Sequence, residues 1–342
     1  MNKVLSVIIP AYNMECYIEH CLMSILNAES VLNKIQIIVV NDGSTDNTSS
    51  IAHEIAKNYP DIIEVVDKKN GNYGSAVNCG LQRVVGRYFK VLDSDDSFDT
   101  SALCNVVDCL SNIDLCDMVV VGYRLHNDKG RTIKIVKPKG VEFGKIYDAK
   151  IFDIRENKKC FWMHGIIYNV AIIKKCHLHL QEGISYTDTE YCYYPWNVVE
   201  KIVFIDDLLY KYLVGRNGQT VSDESYIKNK NHLLKIIMRI LKEDGHSLMQ
   251  ESIISSNKKC VLGNALYAYY RAVLVLSKQN KEDDDNLRNL DNILMSFPSL
   301  YKETDDIRIY RLFRVVKRWR DENKYSNSFV VNIVGRLVRL IR

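Results

Sequence analysis

Short apolar runs alternate with segments of helical periodicity through the N-terminal third of the chain. Leu5-Ser6-Val7-Ile8-Ile9 is almost continuously apolar and stops at Pro10. Ile35 to Val40 repeats the pattern, and Ile62-Ile63-Glu64-Val65-Val66 makes a third run. Runs that lack polar alternation predict strands buried on both faces, as in a parallel sheet. Between them, Ile18, Cys21, Leu22, Ile25 and Leu26 share one helical face, and Thr48, Ile51, Ala52 and Ile55 share another. Asp46 or Asn47 stands where it can cap the second helix. This spacing predicts a doubly wound α/β sheet, whose ligands bind beyond the carboxyl ends of the strands.

Three of those ends carry polar clusters: Tyr12-Asn13, Asn41-Asp42-Gly43-Ser44 and Asp93-Ser94-Asp95-Asp96. The last follows the β-prone run Arg87 to Leu92 and crowds three carboxylates into four residues. Like charges so close repel, and are tolerated on a solvated turn or where a cation neutralises them. Hard divalent ions take one or two carboxylates plus substrate phosphate oxygens, so Asp-x-Asp after a strand is a seat for a metal–diphosphate. Alone, the cluster also reads as an acidic loop or helix cap. Convergence of three polar clusters on one rim favours the site.

In order and spacing, Ser6 to Asn13, Val40 to Asp46, Asn70 to Leu81 and Asp93 to Asp96 resemble family 2 glycosyltransferases. The likeness is specific from residue 4 to about 100, fair to about 222 and absent beyond. It implies a GT-A nucleotide-sugar-binding domain with a mostly parallel sheet, and inverting transfer of a sugar from a nucleotide diphosphate donor. By this resemblance Asp42 contacts the nucleobase, accepting from a uracil imide N–H. Pro10, Tyr12 and Asn13 flank base and ribose. Gly71, Ser75 and Ser94 complete the nucleotide contacts, Asp93 faces the ribose side, and Asp95 binds Mn²⁺ or Mg²⁺, with Asp93 and Asp96 as supporting or alternative ligands. The Gly-rich loop at Gly71 and Gly74 permits positive φ, and a helix N-terminus after it offers free N–H groups to an anion. Val77 stands where many relatives carry Arg or Lys, so a phosphate contact from that position is lost.

Glu182 to Tyr191 resembles the family's acidic segment opposite the metal. Asp188 matches its catalytic carboxylate, although Thr187 replaces a frequent Glu, and Glu190 is the reserve. Inverting transfer needs one such base for the acceptor hydroxyl. His164, in Trp162-Met163-His164-Gly165, is a candidate for the acceptor pocket or a structural histidine. Arg216, in Gly215 to Ser222, is a candidate phosphate partner. The Gln-x-x-Arg-Trp signature of processive synthases is absent.

The chain's 342 residues suit one α/β domain and an appendage. The expected division is 1–222, with a nucleotide half (1–100) and an acceptor half (101–222), then a helical extension (223–309) and a basic amphipathic tail (310–342). Ten cysteines without metal or Cys-x-x-Cys spacing read as free thiols of a reducing cytosol. No charge-free window of about 20 residues occurs, so no transmembrane helix is expected. Nor is a signal peptide expected at Met1-Asn2-Lys3. From Tyr310 onward nine Lys or Arg face only Asp321 and Glu322. There Leu312, Val315, Val316 and Trp319 form one stripe and Phe329 to Ile341 another, a pattern suited to an anionic membrane surface or to packing on protein. The expected partners are therefore a nucleotide-diphospho-sugar donor, a glycan or lipid-linked acceptor and the inner face of the cell membrane. Nucleic acid is not among them, and self-association is open. Two other readings are an inactive nucleotide-sugar-binding subunit and a sugar nucleotidylyltransferase, which would need a basic Gly-rich loop where Pro10-Ala11-Tyr12-Asn13 stands.

Overall fold

The structure is a computed structural model that describes residues 3–113, 115–216, 219, 222–278, 280–309 and 313–322. Residues 1–217 and 218–342 form two compact units.

The first unit runs β1 (Leu5–Ala11), α1 (Ile18–Leu26), β2 (Ile35–Asn41), α2 (Thr48–Asn58), β3 (Ile63–Asp67), α3 (Asn72–Leu81) and β4 (Tyr88–Val91). It continues with β5 (Ser97–Phe98), α4 (Thr100–Asn112), β6 (Met118–His126), β7 (Thr132–Val136), β8 (Ile146–Asp148), β9 (Ile166–Asn169), α5 (Ala171–Lys175), α6 (Asp188–Tyr193) and β10 (Lys201–Leu213). One ten-stranded sheet has the order β3-β2-β1-β4-β9-β6-β10-β5, with β7 on β6 and β8 on β10. The first four strands of that order are parallel, β6 and β10 are parallel, and β9 runs antiparallel between β4 and β6. β1 is buried along its whole length because α3 covers it, which is why it reads as an unbroken apolar run.

β1 does not stop at Pro10 but continues to Ala11, with Pro10 opposite Val40. The N–H that proline lacks would face β4, whose pairing with β1 has already ended at Ile8↔Val91, so no ladder bond is lost. Because β1, β2, β3, β4, β6 and β10 share one direction, their carboxyl ends lie on a single rim. The sheet is continuous through β4 and β9, so the first unit has no break near residue 100.

The second unit is mainly helical: α7 (Asp223–Lys228), α8 (Lys230–Leu248), α9 (Ile253–Arg271) with a π-helical turn at Ala272–Leu276, α10 (Lys281–Leu294) and α11 (Pro298–Asp305). A short antiparallel pair, β11 (Arg308–Ile309) and β12 (Phe313–Arg314), then leads into α12 (Val315–Asp321). Val315, Val316 and Trp319 of α12 are buried. Arg320 donates to Asp291 Oδ1 and to Asp305 Oδ1, each at 2.7 Å. This corrects the membrane-facing stripe expected at 315–319: here it is core of the helical unit. The other expected tail residues, 310–312 and 323–342, lie outside the described residues, as do 217, 218, 220 and 221 of the late loop. Among the described residues no helix is long and apolar enough to cross a membrane, and all ten cysteines are free.

Candidate active site

At the end of β1, Tyr12 is 46% exposed, an open aromatic face beside the rim. Asn13 adopts φ +54°. Its N–H donates to Ser44 Oγ at 3.0 Å, and its Oδ1 accepts from Thr45 N at 2.9 Å. Asn13 thus ties the first rim loop to the second, and Pro10 lies buried inside the strand instead of exposed on the rim.

Asp42 is buried at the end of β2 and accepts from Lys68 Nζ at 2.7 Å and from Gly71 N at 3.0 Å. Gly71 O in turn accepts from Gly183 N at 2.7 Å. The carboxylate therefore fastens the Gly-rich loop to the sheet, and that loop fastens the segment leading to Asp188. Beside it, Asn41 donates to Asp67 Oδ1 at 2.7 Å. The Ser49 hydroxyl, then His53, hold Asp67 below the usual carboxylate value.

The glycines before and within α3 serve close approach, not the expected positive φ. Gly71 has φ −137°, whereas the left-handed residue is Asn72 at +67°. A Cβ on Gly74 would overlap the backbone carbonyl of Gln181. Ser75 is buried, and with Asn78 it hydrogen-bonds Glu182, whose carboxyl the Asn78 amide first of all holds low.

After β4, Tyr73 OH donates to Asp93 Oδ1 at 3.0 Å, and Asp93 N donates to Tyr210 OH at 3.2 Å. Tyr210 OH and Leu213 N donate to the two oxygens of Asp96, each at 2.7 Å. Ser94 is buried. Burial first, then the neighbouring Asp95 carboxylate, raise the proton affinity of both Asp93 and Asp96. Asp95 Oδ2 meets Arg216 Nε at 2.5 Å, with the guanidinium 5.5 Å from the Tyr17 ring. Its other oxygen carries no hydrogen bond among the described residues.

Beneath the cluster, Lys90 is fully buried and donates to the carbonyls of Met163, His164 and Ile166 at 3.1, 2.8 and 3.0 Å. Burial pulls its ammonium down to about 7. His164 is buried against Tyr123, Tyr210 and Tyr212 at ring-centroid distances of 5.2, 4.9 and 4.4 Å. Burial, then Lys90, pull its imidazole down to about 3, so it is neutral. This corrects its placing in an acceptor pocket: it belongs to the aromatic floor. There one of its nitrogens lies within 4.8 Å of carboxylate oxygens of Asp93 and Asp96.

Asp188 opens α6 and keeps partial exposure. Burial pushes its carboxyl up to about 6, opposed by the backbone N–H groups of Thr189 and Asp188 and by Trp162. It acts electrostatically on Tyr73 together with Asp93, and on Tyr212 together with Asp93, Asp95 and Asp96. Asp188 therefore faces the acidic cluster although 92 residues of chain separate it from Asp96. Glu190 does not serve as a reserve base. It is fully buried, and its two oxygens accept from Gln181 N at 2.7 Å and Gln181 Nε2 at 2.8 Å.

Lys68, Tyr73, Tyr210 and Tyr212 were not singled out in the sequence. Lys68 follows β3 directly, a rim position by the rule that found the other clusters. The tyrosines carry no local signal. For a divalent cation the donor set fits: the closely spaced carboxylates of Asp93, Asp95 and Asp96, one Asp95 oxygen without a hydrogen bond among the described residues, and the neutral imidazole of His164.

The mixed α/β sheet of this order, with its helical C-terminal region, is a fold of the GT-A type. Residues 6–176 match the profile of Glycosyl transferase family 2, and the chain belongs to that family. An uncharacterized glycosyltransferase of Rickettsia prowazekii is 31% identical over 216 residues, covering 61% of this chain and 64% of the relative. The minor teichoic acid biosynthesis protein GgaB of Bacillus subtilis is 41% identical over 106 residues, 31% of this chain and 12% of that protein. The chain thus spans less than two thirds of these relatives' own length. Among solved structures, S. aureus TarS 1–349 in complex with UDP-GlcNAc shares the fold at a TM-score of 0.65 and 20% identity, over 98% of this chain and 92% of that one.

Proposed function

We propose that the protein is a non-processive, inverting, metal-dependent glycosyltransferase. It would move one sugar from a nucleotide-diphospho-sugar, a UDP-sugar by preference, to a hydroxyl of a glycan or lipid-linked acceptor in bacterial surface-polysaccharide synthesis. One observation carries the reading. A desolvated but reachable carboxylate, Asp188, faces the Asp93–Asp96 cluster across Tyr73 in a family 2 chain. This proximity supports reading Asp188 as the base and the cluster as the seat for diphosphate.

In this reading Tyr12 stacks on the base, and Asp42 acts mainly by holding the Gly-rich loop. The N-terminus of α3 presents N–H groups to the diphosphate. Asp95, with Asp93 and Asp96, would hold Mn²⁺ or Mg²⁺. Such an ion, when bound, supplies positive charge against the departing nucleoside diphosphate. Arg216 leaves Asp95 for a phosphate oxygen. Asp188 takes the acceptor hydroxyl's proton as that oxygen attacks the anomeric carbon, and the configuration inverts. Work on a lipid-linked acceptor would set the protein at the inner face of the membrane, with residues 323–342 as one anchor.

The test is a panel of nucleotide sugars, scored for nucleotide release with and without EDTA. Metal-dependent release from one donor, increased by a supplied acceptor, is expected. Binding of donor with no turnover on any acceptor would leave the inactive-subunit reading instead.

A further inference from the structure

We propose that Lys90 is a positioning residue for the metal and diphosphate seat. From beneath, its ammonium fixes the turn that supports the two tyrosines holding Asp93 and Asp96. The proposal rests on reading that cluster as the seat, and its test separates the two.

Lys90 stands out by its chemistry. β4 reads Tyr88-Phe89-Lys90-Val91, all four buried, and the lysine lies in the ladder opposite Val7. A buried ammonium is costly unless its surroundings replace water, and a well-packed apolar side chain of similar volume would fill the space without that cost. Among the described residues Lys90 has no carboxylate within ion-pair distance. All three of its N–H groups go instead to backbone carbonyls, those of Met163, His164 and Ile166, within 3.1 Å. These belong to one short stretch, the 3₁₀ turn Met163–Gly165 and the start of β9. A compact ammonium with three rotatable donors suits three carbonyls that converge on one point. Lys90 thus joins the strand that enters the acidic cluster to this turn.

The turn meets the cluster through two tyrosines. Met163 Sδ lies 3.4 Å from Tyr73 OH, which donates to Asp93 Oδ1 at 3.0 Å. The His164 ring packs edge-on against Tyr210 at 4.9 Å between centroids, and Lys90 Nζ lies 5.3 Å from the centre of the same tyrosine ring. Tyr210 OH donates to Asp96 Oδ2 at 2.7 Å and accepts from Asp93 N at 3.2 Å. Asp93 and Asp96 are therefore each held by a tyrosine that a residue of the Lys90-bound turn supports. Carboxylates that bind a metal are oriented by such outer contacts, and altering them lowers metal affinity. Asp42 has its own partners, Lys68 and Gly71, at the other end of the site. The influence of Lys90 should accordingly fall on the metal-linked part of nucleotide affinity.

The experiment is calorimetric titration of the full chain with UDP, in Mn²⁺ and in EDTA. Wild type should bind more tightly in Mn²⁺. Lys90→Met keeps the length of the side chain and removes its donors. It should weaken UDP binding in Mn²⁺ by about 10–100-fold and leave the EDTA value unchanged. Met163→Ala withdraws the support of Tyr73 while leaving the main-chain bonds of Lys90 in place, and should show the same split at about tenfold. A lysine that serves only the fold predicts something else: a lower melting temperature and less binding-competent protein, with the wild-type ratio of the two affinities in the fraction that folds. That ratio in Lys90→Met would overturn the proposal. If Lys90→Met does not fold, Met163→Ala decides: a wild-type ratio there overturns the proposal as surely, and a lost one supports it. Equal affinity of the wild type in Mn²⁺ and EDTA would instead remove the metal seat itself, and the positioning role with it.

Discussion

Asp188 is a carboxyl that its surroundings desolvate but do not close off, and at the scale of single residues this makes its protonation the quantity to measure. A base must be ionised to act, so kcat/KM is expected to rise with pH through about 6, the value to which burial pushes this group. Asp188→Asn should leave donor binding intact in calorimetry and lower turnover by about 10²–10⁴-fold. Near wild-type turnover would mean that the base is another residue. Glu190 is no substitute, because Gln181 holds both its oxygens. Lys68 tests the other end of the site. Lys68→Met leaves the buried Asp42 carboxylate with only Gly71 N as donor, which should cost about 1–3 kcal/mol of stability. UDP affinity should fall with it, through disorder of the Gly-rich loop. Lys68→Arg, which keeps a charge, should recover most of both. Unchanged UDP affinity in Lys68→Met would show that the ion pair does not organise the loop.

Among the elements, α3 does the most to assemble the site. Its first turn holds Gly71 and Tyr73 against Asp42 and Asp93, and its outer face holds the 180–183 segment through Asn78, which exchanges hydrogen bonds with Leu180 N and Leu180 O at 2.9 Å each. Gly74 permits this approach, because a Cβ there would meet the Gln181 carbonyl. Gly74→Ala should therefore force the segment outward, at about 1–3 kcal/mol as for other overpacked sites. Activity should fall further than stability, since Asp188 lies downstream of that segment. A Gly74→Ala protein with wild-type kcat would separate the two loops and sink this coupling.

Over the whole molecule, Asp93, Asp96 and Asp188 all have proton affinities raised above the ordinary carboxyl value. The sign follows from linkage. A raised group stabilises the fold when protonated, so its contribution is complete below the ordinary value and is lost as pH rises through the raised one. A bound cation opposes that loss. Mn²⁺ should therefore raise the melting temperature more at about pH 8 than at about pH 5. An equal gain at both would place the ion away from these carboxylates. The tail can be examined in the same preparation. Removing residues 323–342 should reduce partition to anionic vesicles without lowering the melting temperature. A lower melting temperature would make that segment part of the fold, and unchanged partition would leave the membrane contact to other surfaces.

Buried strands, the rim of polar clusters and the family are written in the chain, because these are local: a run of apolar residues cannot sit in water, and a motif is read where it stands. Asp93, Asp95, Asp188 and Arg216 could be named as candidates for that reason, the last two by likeness to a family pattern. Tertiary structure decided which groups share an environment. Tyr73 and Tyr210 belong to the acidic cluster through contacts across 20 and 114 residues of chain. Glu190 and Asp188 look alike in sequence, yet Glu190 is buried with both oxygens on Gln181, whereas Asp188 keeps partial exposure. His164 became floor, and Trp319 became core, because burial depends on what packs above a side chain and not on the residues beside it.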